Sequence, residues 1–461
     1  MPHFFISAAH KSSGKTTLSI GLTAALAARG RAVQTFKKGP DYIDPLWLTA
    51  ASGRSCRNLD FFTMFREEIE QEFACFMRGS DVGIIEGNKG LYDGLDLDGS
   101  NSNAALARLL NSPVILVIDA RGMTRGIAPL ILGYQAFDPE IRIAGVVLNK
   151  VGGSRHEGKL RNVIEHYTDV PVVGAVHFQP ELEIDERHLG LMPSNEAEQA
   201  RDKISLLGEA VGGQVDLDAI LRIAATAAAP PPCPRSAASV ARPAPVVRIG
   251  YARDRAFGFY YPGDLEKMEQ AGAELVPFDT LLDSTLPQVD GLFIGGGFPE
   301  TQMDALEANA SMLRSVFEFI DRGGPAYAEC GGLMYLARSL TWGDRTCRMA
   351  GVIGADVVMH GKPQGRGYVR LRETGAGPWP MPEGSGGTIA AHEFHYSTLS
   401  GLAADTRFAY RVERGTGVDG RHDGIVYKNL VASYTHLRDV AGNRWTRRFV
   451  EFVRACKGES S

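Results

Sequence analysis

Short apolar runs alternate with longer amphipathic segments along the first half of the chain. The runs are HFFISAA, RAVQTF, VGIIEG, PVILVIDA, IAGVVLNKV and VPVVGAVH. Runs of this length predict buried β-strands, and apolar residues three or four positions apart in the segments between them predict helices. Regular alternation of the two is typical of a parallel, doubly wound α/β sheet with helices on both faces.

This rhythm stops at a stretch rich in proline, alanine and serine, residues 229–244, and then begins again. Such a composition predicts a linker. Beyond it, the runs VVRIGYA, ELVPF, GLFIGGG and PAYAEC, again separated by helix-like segments, predict a second α/β sheet. We therefore expect two doubly wound domains, 1–228 and 245–461, joined by the linker.

The composition is that of a globular protein and argues against several function classes. Of 461 residues, 44% are hydrophobic and 22% are charged, and the formal net charge is −5. A chain without excess basic residues has no broad positive face, so we expect no nucleic-acid partner. Because the apolar runs are far shorter than the roughly 20 residues that span a bilayer, we also expect no membrane segment.

The N-terminus and the cysteines favour a reducing, cytoplasmic location. The chain begins MPHFFISAAHKSSGK and lacks the charged and apolar regions of a signal peptide. Its six cysteines, at positions 56, 75, 233, 330, 347 and 456, form no CxxC pair. We therefore expect a cytoplasmic protein in which most cysteines are free thiols.

The first chemical motif joins the first predicted strand to the first predicted helix. The segment reads ISAAHKSSGKTTLSIGLTAALAARG and places Gly14, Lys15, Thr16 and Thr17 at the turn into the helix. Backbone N–H groups of such a loop bind phosphate, the lysine reaches the terminal phosphates, and the first hydroxyl can bind Mg²⁺. Ala9 replaces the first glycine of the usual pattern and adds only one methyl group. The motif predicts nucleotide binding.

Carboxylates follow the next predicted strands, in FKKGPDYIDP and IIEGNKGLYDG. Ligands of open α/β sheets bind at the ends of the strands, where Asp41 and Glu86 are expected. With Thr16 they suit Mg²⁺, which takes few carboxylates together with phosphate and water oxygens. In the alternative interpretation Asp41 caps a turn and Glu86 is a solvated loop residue. Lys37 and Lys38 are expected to meet phosphate, a substrate carboxylate or solvent.

The second half contains a candidate nucleophile. Cys330 follows the strand-like AYAE and precedes Gly331 and a helix-like segment, which is the pattern of a nucleophile elbow. The sharp turn would expose the sulfur, and the helix N-terminus would favour its thiolate. The glycine run of GLFIGGG makes the N–H of Gly297, together with that of Gly331, a candidate oxyanion hole. His436 is the candidate base, although the residues alone do not distinguish it from other histidines.

Together these motifs resemble the cobyrinic acid a,c-diamide synthase family, in which a class I glutamine amidotransferase domain follows a domain like dethiobiotin synthetase. The matching segments, in order, are SSGKTTL, FKKGPDYIDP, EGNKGLYDG, GGGFPE, AECGGLMYL, HEFHYS and YTHLRD. The resemblance implies a carbon–nitrogen ligase that amidates the a- and c-acetate carboxylates of cobyrinic acid through acyl phosphates. Its other substrates would be ATP and L-glutamine, its cofactor Mg²⁺, and a homodimer is one assembly to consider.

The resemblance also implies roles for individual positions. Cys330 would form the glutamyl thioester, His436 would be its acid–base partner, and Gly297 and Gly331 would donate to the oxyanion. The candidate Mg²⁺ ligands Thr16, Asp41 and Glu86 fall where related synthetases hold the metal. An ATP-activated carboxylate would then react with ammonia released from glutamine.

Two features of the resemblance stay open. Many class I amidotransferases carry a glutamate two residues after the histidine, where this chain has Arg438, so another acceptor must orient the histidine. Asp439 is one candidate for that acceptor. The segment YDGLDLDGSNSNAALARLL resembles a substrate-facing loop, so Tyr92 and Asp93, with Lys37, are candidates for substrate contact; the alternative is ordinary loop packing.

The segment AHEFHYS invites comparison with zinc sites but lacks their spacing. Metalloproteases carry H-E-x-x-H on a helix, whereas here the pattern is H-E-x-H among strand-forming residues. In a strand, His392 and His395 point to opposite faces. We therefore expect structural roles for both histidines and no metal site.

Two other kinds of function stay open. The same chemistry could act on hydrogenobyrinic acid, on nickel sirohydrochlorin or at the positions amidated by cobyric acid synthase. A protein of a different class would be an ATP-driven switch of the partitioning-ATPase type, whose second domain binds without catalysis. Those ATPases carry a lysine at the second loop position, where this chain has His10. The switch would show ATP-dependent association without amide formation.

Overall fold

The computed structural model describes residues 1–184, 186–187, 190–194, 200–229, 233, 244–380 and 387–459. It divides into two compact units, Met1–Ser239 and Val240–Ser461. The predicted linker lies mostly outside the described residues, so its character and the predicted domain bounds on either side stay predictions. Each unit has its own sheets and its own buried apolar residues.

The first unit is built around one parallel sheet. Its strands are β1 (His3–Ala8), β2 (Val33–Lys38), β3 (Arg57–Leu59), β4 (Val82–Gly90), β5 (Val114–Asp119), β6 (Ile143–Val151), β7 (Val172–His177), β8 (Glu186–Arg187) and β9 (Gly190–Leu191). Its helices are α1 (Lys15–Ala28), α2 (Ile43–Ser52), α3 (Arg66–Phe76), α4 (Asn103–Leu109), α5 (Ile127–Phe137), α6 (Ser154–Tyr167), α7 (Ala200–Gln214) and α8 (Leu217–Ala225). Seven strands pair in parallel in the order β3-β2-β4-β1-β5-β6-β7.

The predicted fold class is confirmed in this unit. The six apolar runs correspond to β1, β2, β4, β5, β6 and β7, and all six residues of β5 are buried. Continuous burial is what a parallel strand covered by helices on both faces requires. Since β1 lies between β4 and β5 in this order, the loop after β1 opens at the ligand-binding edge of the sheet.

The second unit contains more strands than its apolar runs predict. Its strands are β10 (Val247–Ala252), β11 (Phe257–Phe259), β12 (Ala273–Phe278), β13 (Gly291–Ile294), β14 (Gly296–Gly297), β15 (Ala326–Glu329), β16 (Ala337–Trp342), β17 (Arg345–Arg348), β18 (Ile353–Met359), β19 (Gly365–Glu373), β20 (Ile389–His395), β21 (Ser397–Ser400), β22 (Arg407–Arg414), β23 (His422–Tyr427) and β24 (Leu430–Ser433). Its helices are α9 (Pro262–Gln270), α10 (Met303–Ala308), α11 (Ala310–Asp321), α12 (Gly331–Leu336) and α13 (Trp445–Glu459).

The main sheet of this unit is half parallel and half antiparallel. The strands β12-β10-β13-β15-β24 pair in parallel, which is the predicted α/β part. The sheet then continues antiparallel through β23, β22, β19 and β20, and β17, β16, β18 and β21 form a separate sheet. These additions have no continuous apolar run, because antiparallel strands with one solvated face alternate polar and apolar residues.

The helices of both units are short. Among the described residues the longest helices are α7 and α13, with 15 residues each. Within the ranges that the structure describes, no helix combines the length and the apolar character needed to cross a bilayer. Helix α13 instead buries Trp445, Phe449 and Val453, which recur every four residues and form one face against the second unit's core.

Most of the cysteines lie outside disulfides, as expected. Cys56, Cys330, Cys347 and Cys456 form no disulfide. Cys75 and Cys233 form a disulfide with a Cα–Cα distance of 5.0 Å. Their sequence separation of 158 residues leaves no local spacing pattern, so this pair is not predicted from the sequence.

Candidate active sites

The loop between β1 and α1 has the backbone of a phosphate-binding loop. Ser12 and Gly14 both have positive φ angles, 63° and 85°, and the N–H of Leu18 donates to the Gly14 carbonyl as the helix begins. A Cβ at Gly14 would lie 2.0 Å from Nδ2 of Asn149, so glycine is required by space as well as conformation. Asn149, in β6, donates to the carbonyl of Ser13 at 2.9 Å. This support is not predicted from the sequence.

The alanine in the first glycine slot of the loop is compatible with its backbone. Ala9 is not among the non-glycine residues with positive φ, so it does not need glycine's freedom. Its N–H donates to the Val117 carbonyl at 3.2 Å, and its carbonyl accepts from the hydroxyl of Tyr134. These contacts fix the start of the loop and explain why the departure from the usual pattern is tolerated.

A cluster of carboxylates surrounds one buried lysine beside this loop. The Lys37 ammonium lies 2.5 Å from Oδ2 of Asp44, 2.8 Å from Oε1 of Glu86 and 3.8 Å from Oδ2 of Asp41. The Thr16 hydroxyl contacts the same acids, at 2.7 Å from Glu86 and 3.2 Å from Asp44. Strand register explains part of this arrangement, because Lys37 of β2 is directly beside Glu86 of β4.

The cluster changes the expected role of two residues and adds a third. Asp41 accepts the N–H groups of Ile43 and Asp44 at 2.9 and 3.3 Å, which is the turn-capping role left open above. Asp44, not predicted, makes the closer contact to Thr16. Lys37, expected to meet phosphate or substrate, donates to the chain's own carboxylates. The one feature of the sequence that could have pointed to Asp44 is its position three residues after Asp41, where the helix begins and both side chains can lie on the same side.

Burial is the first influence on the pKa of each group in the cluster. Burial raises the pKa of Glu86, and burial with the neighbouring Asp44 raises that of Asp41 to about 7. Burial would also raise the pKa of Asp44, but the charge of Lys37 lowers it overall. Burial alone would lower the pKa of Lys37, yet the carboxylates hold it well above its usual value. Lys37 is therefore the permanent counter-charge of the site.

The site has a feature that fits Mg²⁺. Oε2 of Glu86 is buried and has no hydrogen-bond partner within the described part of the chain. An unsatisfied carboxylate oxygen next to the Thr16 hydroxyl suits a hard cation that also needs phosphate and water oxygens. Among the described residues no group of three or more His, Cys, Asp or Glu is arranged to hold a metal by itself. A metal here would therefore depend on bound nucleotide for most of its ligands.

Lys15 completes the phosphate-binding loop. Its side chain is buried, and burial together with the charge of Lys37 lowers its pKa to about 8. A lysine in this state gains from an anionic partner, because a phosphate restores the stability of its charged form. The loop therefore offers a phosphate both backbone N–H donors and the Lys15 ammonium, which is shielded from water.

The predicted substrate-facing residues lie after β4. Tyr92 donates to the Tyr134 carbonyl at 2.6 Å, and its ring packs against Phe137 with centroids 4.7 Å apart. Oδ2 of Asp93 accepts the N–H of Gly90 at 2.8 Å, which is a loop-packing role. Tyr92 therefore belongs to an aromatic group, whereas Asp93 stabilises the turn.

The second site forms where three adjacent parallel strands end. β13, β15 and β24 are neighbours in the sheet. Gly297 follows β13 by three residues, Cys330 directly follows β15 and His436 follows β24 by three residues. Loops at the carboxyl ends of parallel strands meet at one edge of the sheet. The fold therefore brings the predicted nucleophile, base and glycine loop to that edge.

The nucleophile elbow is present as predicted. Cys330 has φ 48° and ψ −101°, a conformation that a non-glycine residue adopts only when its surroundings hold it. Its N–H donates to the Ser433 carbonyl at 2.7 Å. A Cβ at Gly331 would lie 3.0 Å from the backbone nitrogen of Gly297, so the two candidate oxyanion donors lie next to each other. Their assignment to the oxyanion stays a prediction.

The thiol differs from the expected thiolate. Cys330 is buried, and burial followed by the charge of Glu300 raises its pKa, whereas a hydrogen bond from the Gly331 N–H lowers it only in part. The following helix α12 contains six residues, too few to outweigh desolvation and nearby carboxylates. Cys330 is therefore a thiol at rest, and attack requires a base to take its proton.

The candidate base is held on several sides. Nδ1 of His436 lies 3.3 Å from Oε2 of Glu329, the residue before the nucleophile. Its ring stacks on that of His392 with centroids 4.9 Å apart, and the two backbones form an antiparallel bridge. A Cβ at Gly296 would lie 2.6 Å from Cε1 of His436. The contact between Glu329 and His436 is not predicted from the sequence, because Glu329 reads there only as the last residue of a strand.

Asp439 does not orient the histidine. Its carboxylate accepts from the N–H and hydroxyl of Thr446 and pairs with Lys267 and Arg444, both at 3.2 Å. It therefore caps the start of α13. Arg438, in the slot of the missing glutamate, has its guanidinium 5.0 Å from the ring centre of Tyr261.

The histidines of β20 each stack on another aromatic ring, and their structural roles stay a prediction. His392 stacks on His436, and His395 stacks on Tyr434 with centroids 3.8 Å apart. Being three residues apart in the strand, they lie on opposite faces. Burial and the charges of His436 and Arg438 lower the pKa of His392 well below its usual value, so this ring stays neutral.

Comparison with known proteins matches each half of the chain to a known domain family. The chain matches the CobQ/CobB/MinD/ParA nucleotide binding domain over residues 5–191 and the CobB/CobQ-like glutamine amidotransferase domain over residues 248–442. It is 48% identical to the cobyrinate a,c-diamide synthase of Magnetococcus marinus, over 98% of this chain and 97% of that protein. Proteins of the same name from Methanosarcina acetivorans and Archaeoglobus fulgidus are 42% and 40% identical, each over 98% of this chain and over 95% and 97% of their own lengths. The chain belongs to the cobyrinate a,c-diamide synthase family.

Proposed function

We propose that the chain is a cytoplasmic, glutamine-dependent ligase that amidates the a- and c-acetate carboxylates of cobyrinic acid with ATP. The observation that supports this most is the strained Cys330 elbow, which lies beside Gly297 and directly after Glu329, the residue that contacts the buried His436, in one chain with a phosphate-binding loop. A thiol nucleophile supplies ammonia from glutamine, and a phosphate-binding loop positions the ATP that activates a carboxylate.

In the amidotransferase unit the reaction begins with proton transfer. His436 takes the proton of Cys330, and the sulfur attacks the amide carbon of glutamine. The N–H groups of Gly297 and Gly331 donate to the oxygen that becomes negative. The proton on His436 then passes to the leaving nitrogen, ammonia departs, and water hydrolyses the thioester to glutamate.

In the synthetase unit the loop residues bind ATP for transfer to a carboxylate. Lys15 and the backbone of the loop hold the phosphates, with Gly14, Thr16 and Thr17 at the start of α1. Thr16 and Glu86, with Asp41 or Asp44, would hold Mg²⁺, which neutralises phosphate charge when bound. The substrate carboxylate attacks the terminal phosphorus of ATP and ADP leaves, and ammonia then displaces phosphate from the acyl phosphate to give the amide.

An exposed apolar surface near the phosphate-binding loop suits the face of a tetrapyrrole. Phe137 is 73% exposed while packing on Tyr92, and the loop that follows Tyr92 exposes Leu97 fully and Leu95 by nearly half. Exposed apolar side chains that lie together in one patch mark binding sites for apolar ligands. We assign this surface to the corrinoid, with Tyr92 as its central ring.

The proposal predicts two ATP-dependent amide substitutions on cobyrinic acid. Incubation with ATP, Mg²⁺ and glutamine should lower the substrate mass by the difference between two hydroxyl and two amino groups, as measured by mass spectrometry. Hydrogenobyrinic acid and nickel sirohydrochlorin, tested in parallel, identify the preferred macrocycle. ATP hydrolysis without amide formation on any of them would contradict the proposal and favour the ATP-driven switch.

The carboxylate that holds Mg²⁺ can be identified with a matched pair of variants. Asp44→Asn should raise the Mg²⁺ concentration for half-maximal activity by about tenfold or more, because this carboxylate contacts Thr16 directly. Asp41→Asn should raise it less, because Asp41 caps the start of α2. Mg²⁺ titration of ATP-dependent activity measures both. The opposite order would make Asp41 the metal ligand and Asp44 only a partner of Lys37.

A further inference from the structure

The orientation of His436 requires an acceptor that the usual sequence position does not supply. A histidine acts as a base through one ring nitrogen when its other nitrogen carries the proton, and an acceptor at that other nitrogen favours this tautomer and orients the ring. The position two residues after His436 is Arg438, which cannot accept a hydrogen bond. Asp439 caps α13 instead. The acceptor must therefore come from elsewhere in the fold.

We propose that Glu329, immediately before the nucleophile, is the positioning residue that orients His436 for proton transfer from Cys330. Its Oε2 lies 3.3 Å from Nδ1 of His436, and both side chains are 97% buried or more. The inference rests on the proposed glutaminase function, and it adds a residue that belongs to the strand before the elbow and not to the histidine loop.

The carboxylate itself is fixed by neighbours on both elements. Oε1 of Glu329 accepts the hydroxyl of Tyr327 at 2.7 Å and the N–H of Leu437 at 2.9 Å. Tyr327 lies two residues earlier in β15 and therefore on the same face of the strand. Because Oε1 is already occupied by two donors, Oε2 is directed to the histidine.

This geometry selects one tautomer of His436. With its proton on Nδ1 and shared with Glu329, the ring carries its lone pair on Nε2, as a base for the thiol requires. When Nε2 takes the thiol proton, the buried carboxylate stabilises the resulting imidazolium. The stacked His392 stays neutral, so it does not compete for the carboxylate.

Glu329→Gln is the most informative substitution because it keeps the shape and removes one acceptor. If the amide oxygen accepts from Tyr327 and Leu437, the amide NH₂ faces Nδ1 and stabilises the wrong tautomer of His436. If the amide is reversed, its NH₂ meets the donors of Tyr327 and Leu437. The second arrangement sets the amide NH₂ against the Leu437 N–H and leaves that donor without an acceptor, so the first arrangement is favoured. The first arrangement removes the base form of His436, and we expect the kcat of glutamine hydrolysis to fall roughly 10²- to 10⁴-fold with KM little changed.

Tyr327→Phe is the matched control. It removes one hydrogen bond to the same carboxylate but leaves Leu437 and His436 in contact with it. We expect its kcat to fall less than that of Glu329→Gln, because the charged carboxylate still accepts from Leu437 and still faces His436. Amidation with free ammonium salt, measured for every variant, reports whether the rest of the chain is folded and active.

The outcomes separate the inference from the proposed function. A large loss of kcat in Glu329→Gln with ammonia-dependent amidation retained would support Glu329 as the positioning residue. Equal kcat in Glu329→Gln and wild type, or equal losses in Glu329→Gln and Tyr327→Phe, would overturn it. If Glu329→Gln does not fold, Glu329→Asp keeps the charge but withdraws it by one methylene, and an unchanged kcat would overturn the inference in the same way. No glutamine hydrolysis by the wild type would instead contradict the proposed function.

Discussion

Replacing Cys330 with alanine should abolish amidation that depends on glutamine while amidation with free ammonia continues. The sulfur is the group that attacks glutamine, and loss of a covalent nucleophile lowers kcat by roughly 10⁴-fold or more. The synthetase unit needs only ammonia, ATP and the substrate carboxylate. Parallel assays with glutamine and with an ammonium salt measure the two activities on the same variant.

A second buried cysteine provides the control. Cys347 is free and lies in the same unit, where its thiol contacts Asp304 at 3.4 Å. Cys347→Ala removes a buried sulfur as Cys330→Ala does, so both should cost a similar amount of stability, about 1 kcal/mol. Only Cys330→Ala should lose the glutamine-dependent reaction. Loss of both reactions in Cys330→Ala alone would mean that this cysteine supports the fold and not the chemistry.

The parts of the molecule that the sequence predicts are those encoded by neighbouring residues. β5 reads as a strand because its first five residues, Val114 to Ile118, are all apolar. The phosphate-binding loop and the elbow at Cys330 are predicted because each is a strand, a tight turn and a helix in direct succession. In such motifs, local spacing already determines the geometry.

Antiparallel strands are harder to predict for a physical reason. In β19, residues Gly365–Glu373, buried and exposed positions are mixed because one face of the strand is less covered. A run such as GRGYVRLRE then contains as many charges as an ordinary loop. The extension of the second unit's sheet, and the disulfide across 158 residues, depend on contacts that no local pattern records.

Contacts between distant side chains decide the details of both sites. Asp41 and Asp44 lie three residues apart, and only the direction in which α2 begins makes Asp44 the partner of Thr16. Glu329 meets His436 because β15 and β24 are adjacent, although the two residues are 107 apart in sequence. Residue types at these positions were visible in the sequence, but their pairing depends on the tertiary fold.

Replacing Lys37 with methionine should destabilise the first unit strongly. Lys37 is the counter-charge of Asp44 and Glu86 at 2.5 and 2.8 Å, and its side chain is 3% exposed. Methionine has similar length but no charge, so it leaves buried carboxylates without a cation. Removing one partner of a buried ion pair costs about 3–5 kcal/mol, and chemical denaturation of the variant should show a loss of this size.

The adjacent Lys38 is the matched control. It is equally buried, but within the described part of the chain its ammonium donates one hydrogen bond, to the Asn101 side-chain oxygen at 3.4 Å. Burial lowers its pKa to about 8, so the folded chain holds this proton less tightly than the unfolded chain does. Protonation of such a lysine destabilises the fold once the pH falls below the pKa that the lysine has in the unfolded chain. Lys37, whose pKa is raised, instead contributes stability throughout that range. Lys38→Met should therefore cost little or stabilise the protein at neutral pH.

Magnesium distinguishes electrostatic loss in Lys37→Met from a simple packing defect. Without the lysine, Asp44 and Glu86 should bind the cation more tightly, since a like-charge pair gains most from a new counter-ion. A ligand that binds only the folded state raises stability by mass action. Millimolar Mg²⁺ should thus restore stability to Lys37→Met while affecting the wild type and Lys38→Met much less, as denaturation with and without the metal would measure. If Mg²⁺ stabilises all three proteins equally, Lys37 is not the counter-charge of the carboxylate cluster, and the loss in its variant reflects packing alone.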